Sequence, residues 1–190
     1  MHAEKLATGF SRAGFLSTPI ALAWYRKYFV GLRHLLYFFA LLSASRGRDI
    51  IYAHDLVGVG VPARLVAFLG RKKLVVRVGG DLVWERAAVG GTLLPMNEFY
   101  EAGLFRGLHF RLSCFVLKSA SLIFVPAENL VSLYQKYYDV DPKKIVLVPN
   151  PLPNNIVSSV FFEASRPTIL FAGRFVAYKN LSRVIGACRD

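Results

Sequence analysis

Two basic side chains follow a glycine near the end of the sequence, at a spacing that suits an anion. In TILFAGRFVAYKN, residues 168–180, an apolar run ends at Gly173, Arg174 follows directly and Lys179 comes five positions later. Glycine lets a ligand approach the backbone, arginine supplies a bidentate fork and lysine a point charge. The spacing fits a diphosphate site, and it fits equally a solvated basic pair in a chain rich in cations.

Polar residues also follow two apolar runs earlier in the chain. The run DIIYA ends at His54 and Asp55, and KLVVRV is closed by two glycines, the second of them Gly80, and then Asp81. If the runs are strands of a parallel sheet, these residues lie at its carboxyl edge, where α/β proteins bind ligands. Each has a structural alternative: a His-Asp pair is more often a structural hydrogen bond, and Asp81 can cap its own loop as readily as act as an acceptor or base.

Apolar runs alternate with helical patterns after residue 45. Runs that are nearly all apolar predict four strands, at residues 49–53, 73–78, 121–125 and 144–148. Apolar residues at helical spacing predict helices around residues 61–69, 104–116 and 130–137. A loop is predicted from the second strand to about residue 98. The alternation predicts an α/β fold with a doubly wound parallel sheet, covered on both faces.

The last part of the chain predicts a second unit. Residues 149–165 are typical of a linker, 168–173 predict a new strand, and Asn180 is placed to cap the helix that follows. A single strand and helix cannot bury their own faces. We therefore expect residues 1–165 to form one domain, including the linker and incomplete at its start, and residues 166–190 to begin a truncated second domain.

Composition and charge narrow the classes of partner. The net charge of +12 and the 54% hydrophobic content describe a folded, strongly basic chain. Such a charge favours polyanions: nucleic acid, phosphorylated ligands or an anionic membrane surface. Cys114 and Cys188 are expected to be reduced, buried thiols rather than a disulfide, and no Cys/His cluster is spaced for a structural zinc site.

The segment 18–45 is apolar on nearly all sides but interrupted by basic residues. The longest uncharged apolar stretches, 13–25 and 35–45, fall short of the roughly 20 residues that a spanning helix needs. We predict a helix packed on the sheet in preference to a lipid-facing one. A helix lying on the membrane surface stays the alternative.

Five loose motifs in the same order resemble family 4 of the GT-B glycosyltransferases. The similarity covers roughly residues 49–190. The first two motifs are DIIYAHD and KLVVRVGGDLVWE. The segment SASLIFVPAENLVSLYQKYYDVDPKKIVLVPNPL contains the next two, a strand with its turn and helix and then the linker. The fifth motif is ILFAGRFVAYKNLSRVIGA. The resemblance implies two Rossmann-like domains, with a nucleotide-sugar donor on the second and an acceptor on the first.

The resemblance also implies roles for the residues singled out above. Gly173, Arg174 and Lys179 would hold the donor diphosphate, and the two cations would stabilise the departing nucleotide without a metal or other cofactor. Transfer would retain the anomeric configuration. Asp81 is the best acceptor-side candidate for catalysis, and the residues expected to line the acceptor cleft are His54, Asp55, Gly80, Asp81, Trp84 and Glu85.

Several features depart from the family's pattern. The paired glutamates that bind the donor sugar and the Gly-rich loop after the first strand are absent, so we expect this chain to be a fragment without turnover of its own. Gly79-Gly80-Asp81 stands where many members have a histidine, and Ala127 replaces a serine. Trp84 is as readily explained by packing as by ligand contact.

The sequence therefore predicts a hexosyltransferase that acts on a cell-envelope glycan or lipid-linked acceptor, in the cytoplasm or at the inner face of a membrane, with no nucleic-acid partner. The alternative is a non-catalytic basic α/β module that binds anionic lipid or nucleic acid, with a steep dependence on salt. A dinucleotide-binding oxidoreductase is disfavoured because no GxGxxG follows a strand.

Overall fold

Four parallel strands form the sheet in the computed structural model, which describes residues 2–150, 168–173, 175–176 and 179–188. Within these residues the strands are β1 (Ile50–Ala53), β2 (Lys73–Arg77), β3 (Leu122–Val125) and β4 (Ile145–Leu147). They lie in the order β1-β2-β3-β4, each parallel to the next. The predicted α/β class with a parallel sheet is confirmed.

Helices connect and precede the strands. The described helices are α1 (His2–Arg12), α2 (Val30–Ala44), α3 (Gly60–Leu69), α4 (Leu82–Val89), α5 (Met96–Glu101), α6 (Leu108–Ser119), α7 (Glu128–Tyr138) and α8 (Leu181–Ala187), with short 3-10 helices at Leu22–Tyr25 and Pro142–Lys144. The predicted helix over 18–45 is thus shorter than expected, since it begins only at Val30. The predicted loop up to residue 98 was wrong in part, because it contains α4 and the start of α5.

The strand order bears on how the sheet is wound. A doubly wound sheet reverses its strand order at a switch point. The described strands follow the order of the sequence, so the structure supports the coarser statement: a parallel, Rossmann-like sheet flanked by helices. Helix α3 packs on β1 and β2 and also on α6, and α7 packs on β3 and β4.

The register of the strands places one set of apolar side chains on a single buried face. Ala53 lies opposite Val76, and Val76 opposite Ile123. All three are fully buried, as are Val66 of α3 and Val116 of α6. Successive strand residues point to opposite faces, so this face collects every second residue and forms the core against the helices.

The chain divides into two compact units by its contacts. The first comprises Met1–Leu82 and Arg106–Val148 and contains the whole sheet; the second comprises Val83–Phe105 and Pro149–Asp190. The predicted domain boundary between residues 165 and 166 falls in the segment 151–167, outside the described residues, so it stays a prediction.

One prediction for the last segment was wrong, and another is confirmed only in position. Residues 168–173 are described and have no strand structure. Asn180 does occupy the N-cap position of α8, but with a left-handed backbone (φ 52°) and no hydrogen bond from its side chain to the helix. Ile169 and Leu170 are largely exposed, so the apolar run lacks the neighbouring strand that would bury it.

Candidate functional site

The carboxyl edge of the sheet brings together four of the predicted residues. Strands β1 and β2 are parallel neighbours, with Ala53 paired to Val76. His54 and Asp55 follow β1 directly, and Gly80 and Asp81 follow β2 after a short turn. Carboxyl ends of neighbouring parallel strands meet at one edge. These residues therefore share the region that the sequence pattern predicted.

Asp55 is engaged in holding its own loop. Its carboxylate accepts hydrogen bonds from the backbone N–H of Gly58 (2.9 Å) and of Val57 (3.4 Å). A Cβ atom at Gly60 would lie only 2.5 Å from the Asp55 carbonyl oxygen and 3.2 Å from Cγ1 of Val116 in α6. The loop between β1 and α3 thus closes tightly on Asp55, and this explains both glycines.

The charge of Asp55 also acts on a buried tyrosine. Tyr37 of α2 is almost fully buried, with its ring 6.4 Å from that of Tyr25. Burial raises the pKa of Tyr37 to about 12, and smaller contributions come from Tyr25 and from the negative charge of Asp55. The negative charge of Asp55 therefore acts on a side chain of α2.

His54 lies half-buried beside an aromatic neighbour. Its ring is 4.9 Å from that of Tyr52, edge to face. Burial raises the pKa of Tyr52, and the charge and hydrogen bond of Arg77 oppose that rise. His54 keeps a position at the carboxyl edge, and a ligand role for it stays a prediction.

Asp81 is buried, with 2% of its surface exposed. Its Oδ2 accepts a hydrogen bond of 2.7 Å from the hydroxyl of Tyr138, and the hydroxyl of Tyr134 donates to the carbonyl of Gly80 (3.0 Å). Both tyrosines lie on α7, with ring centroids 5.0 Å apart. In this arrangement Asp81 joins the β2 loop to α7, and its predicted catalytic role requires this loop to open.

Sequence reasoning missed Tyr134 and Tyr138 as polar partners of the edge. The signal was available: they are four residues apart on the apolar side of a helix, and a buried tyrosine usually finds a partner for its hydroxyl. Gly58 and Gly60 were missed as well. Their spacing directly after a strand and an aspartate is the pattern of a tight loop.

The second unit contains the remaining predicted residues. The indole N–H of Trp84 donates to the carbonyl of Leu94 (3.1 Å), which fixes the ring, and Glu85 is half-buried beside it in α4. Gly173 and Lys179 are exposed. Arg174 lies outside the described residues, so the predicted pairing of the two cations stays a prediction.

A different kind of surface lies on α2, α3 and α6. An apolar groove of about 550 Å³ runs between these helices, lined by residues such as Leu35, Phe38, Val61, Leu65 and Leu112. Beside it, large apolar side chains face solvent. We name this region the helix surface; it consists of Leu35, Phe39, Arg64, Leu65, Phe68, Leu69, Leu108, Arg111 and Phe115.

Comparison with known proteins identifies no family, so any proposed function rests on the residues and their geometry. No protein-family model matches the sequence, and no curated protein matches it. Both cysteines are free thiols as expected, but the predicted burial was wrong, since Cys114 is half-buried and Cys188 exposed. Burial is the main cause that raises the pKa of Cys114. No helix in the described ranges has both the length and the apolar character needed to cross a bilayer.

Proposed function

We propose that this chain carries the acceptor side of a retaining, nucleotide-diphosphate-sugar-dependent hexosyltransferase of the GT-B type. The observation that supports it best is the carboxyl edge of the parallel sheet. There His54 follows one strand and Gly80-Asp81 the neighbouring one. This is the region where open α/β sheets bind ligands. The order of the motifs along the chain agrees with the resemblance described above.

The proposed chemistry divides between the two units. Gly173, Arg174 and Lys179 bind the donor diphosphate, and the cations stabilise the negative charge that develops on the departing nucleotide. No metal is required in this scheme. On the acceptor side, Asp81 receives a hydrogen bond or a proton from the attacking hydroxyl after its bond to Tyr138 opens.

The remaining acceptor-side residues serve binding. In the first unit, His54 and Gly80 are proposed to bind a glycan or lipid-linked acceptor of the cell envelope. In the second unit, Trp84 and Glu85 are proposed acceptor-binding residues. Trp84 offers an aromatic face that is already held in place by Leu94. The hydrogen bonds of Asp55 keep its loop in one shape, so this residue contributes by positioning the edge.

Binding of a donor tests the proposal directly. We expect a panel of nucleotide-diphosphate hexoses, titrated by calorimetry into the full chain, to contain at least one ligand. Arg174→Ala and Lys179→Ala should each weaken its binding about tenfold or more, because each removes a charge-assisted hydrogen bond. Arg183→Ala, which removes an exposed cation of the same segment from α8, is the matched control and should leave binding unchanged.

The alternative proposal, a non-catalytic basic module, gives a different result in the same experiment. The alternative predicts that no nucleotide-diphosphate sugar binds more tightly than its free nucleotide base or its free sugar does. Equal loss of binding in the Arg174→Ala and Arg183→Ala variants would also contradict the transferase proposal, because it would show attraction by net charge alone.

A further inference from the structure

Helix α3 is apolar on both of its sides. Its inner side packs on the sheet through fully buried residues such as Val66. Its outer side presents Leu65, Phe68 and Leu69 to solvent, and Phe68 is 68% exposed. A surface helix normally carries polar residues at the outward positions i, i+3 and i+4. Apolar side chains there indicate that the outer side contacts something other than water.

The outward side of α6 continues this pattern. Leu108, Arg111 and Phe115 are exposed at helical spacing, so apolar and cationic side chains alternate along one row. Arg64 of α3 connects the two helices: its guanidinium lies 5.1 Å from the ring centroid of Phe68 and 5.3 Å from that of Phe115. The exposed rows of α3 and α6 therefore form one continuous surface.

Helix α2 extends the surface on the other side of α3. Leu35 and Phe39, four residues apart on one stripe, are both more than half exposed. Leu35 also lines the apolar groove with Val61 and Leu65 of the α3 region and Leu112 of α6. The groove and the exposed side chains around it thus involve α2, α3 and α6, which all belong to the first unit.

The charges of the helix surface are of one sign. Helices α2, α3 and α6 contain no Asp or Glu, although the chain has 12 acidic residues. Their arginines are Arg33, Arg64 and Arg111. At the end of α6, Lys118 pairs with Asp139 (2.8 Å). Asp55 lies in the loop before α3, where its carboxylate accepts hydrogen bonds from that loop's backbone. The surface is therefore complementary to a negatively charged partner.

The exposed apolar side chains and the positive charge of the helix surface together decide which kind of partner fits it. A second copy of the chain would bring arginines against arginines, which costs association energy. Nucleic acid would pair with the arginines but leave the leucines exposed, since its affinity comes mainly from phosphate contacts. An anionic bilayer accommodates both, because apolar side chains enter the acyl boundary while arginines stay at the phosphates.

We propose that the helix surface docks on an anionic phospholipid bilayer, with Phe68, Leu69, Leu35, Phe39 and Phe115 inserted at the acyl boundary. Arg64 and Arg111 lie at the level of the lipid phosphates. The three helices then lie along the membrane surface. This inference rests on the first unit alone, so it holds whether or not the chain takes part in glycosyl transfer.

Vesicle binding by the full chain tests the inference. We expect the chain to sediment with vesicles of phosphatidylcholine and phosphatidylglycerol and to bind pure phosphatidylcholine at least tenfold more weakly. The double variant Phe68→Ser/Leu69→Ser should lose about tenfold or more in partitioning to the anionic vesicles. Its matched control is Leu93→Ser, which removes an exposed leucine from the second unit and should leave binding unchanged.

Charge is tested in the same way. Arg111→Glu should weaken binding to anionic vesicles about tenfold and reduce its salt dependence, whereas Lys143→Glu, an equal charge change at an exposed site on the Pro142–Lys144 helix, should have a much smaller effect. Circular dichroism confirms that each variant is folded before it is compared.

Several results would overturn the inference. One is equal binding to neutral and anionic vesicles, and another is anionic binding that both variant pairs leave intact. Concentration-dependent dimers that Phe68→Ser/Leu69→Ser abolishes would assign the surface to a second copy. Tighter binding to duplex nucleic acid than to vesicles, lost in Arg111→Glu, would assign it to nucleic acid.

Discussion

At the carboxyl edge of the sheet, polar side chains bond to their own loops and helices, whereas on the helix surface apolar side chains face solvent beside arginines. Asp55 caps the β1 loop, and Asp81 is held by Tyr138. On the helix surface, Phe68 and Leu108 are each 68% exposed. The sequence motifs point to the edge, whereas the exposed apolar side chains, where we propose that a membrane docks, lie on the helices.

A buried leucine and an exposed leucine of α6 should show the largest difference in their effect on stability. Leu117 of α6 is fully buried, and Leu108 of the same helix is 68% exposed. We expect Leu117→Ala to lower the free energy of unfolding by about 2–5 kcal/mol, because it leaves a cavity. Leu108→Ala should change it by less than about 0.5 kcal/mol. Urea unfolding measures both, and equal losses would show that Leu108 is part of the core.

The hydrogen bonds at the carboxyl edge predict that two tyrosines contribute unequally to the free energy of unfolding. Tyr138→Phe should cost about 1–3 kcal/mol, because a buried carboxyl group loses its donor. Tyr134→Phe, which removes a bond to the carbonyl of Gly80, should cost about 1 kcal/mol. A double-mutant cycle of Tyr138→Phe with Asp81→Asn measures the coupling. Zero coupling would contradict the assigned pairing.

The tightness of the β1 loop predicts an effect of similar or smaller size. Gly60→Ala should destabilise the chain by about 1–3 kcal/mol, because the new Cβ would meet the Asp55 carbonyl oxygen and Val116. Gly79→Ala is the control at the same edge, since a Cβ there meets no atom within 4 Å. Thermal unfolding of both variants decides. A stable Gly60→Ala variant would mean that the loop is looser than described.

The ion pair that borders the helix surface should give the smallest effect, and a pH-dependent one. The hydrogen bond and charge of Lys118 lower the pKa of Asp139 below its ordinary 3.8. A lowered folded-state pKa stabilises above the unfolded-state pKa, and the contribution is lost as pH falls through the folded value. Asp139→Asn, which keeps a residue that tolerates φ 53°, should be slightly less stable than wild type at pH 7 and equal to it near pH 2. A difference that grows on acidification would contradict the pairing.

The sheet was predictable because each strand is a continuous apolar run bounded by Gly, Pro or polar residues. The same criterion failed at residues 168–173, where Ile169 and Leu170 form a run but have no neighbouring strand. An apolar run reports the capacity for burial, and burial itself depends on partners far away in sequence. Helices α4 and α5 were missed for a related reason, because Gly90, Gly91 and Pro95 indicate a loop while the short segments beside them still form helices.

The candidate site was predictable in position only. His54 and Asp81 were correctly placed after β1 and β2, because parallel strands fix where their ends lie. Their hydrogen-bond partners come from α7 and from the β1 loop, at separations that no local pattern reports, as with Tyr138 and Asp81. The helix surface was harder still to predict from the sequence. A helical stripe of Leu and Phe has the same spacing whether it faces the core or the outside.

The most direct measurement compares a fluorescent reporter on the helix surface with one at an exposed site away from it. In a Trp24→Phe/Trp84→Phe background, Phe68→Trp puts a reporter on the helix surface and Leu93→Trp puts one at an exposed site away from it. Anionic vesicles with brominated acyl chains quench indoles that enter the acyl boundary. We predict strong quenching and a blue shift for Phe68→Trp and neither for Leu93→Trp. Quenching of Leu93→Trp alone, or of neither variant, would contradict the assignment of the helix surface to a membrane.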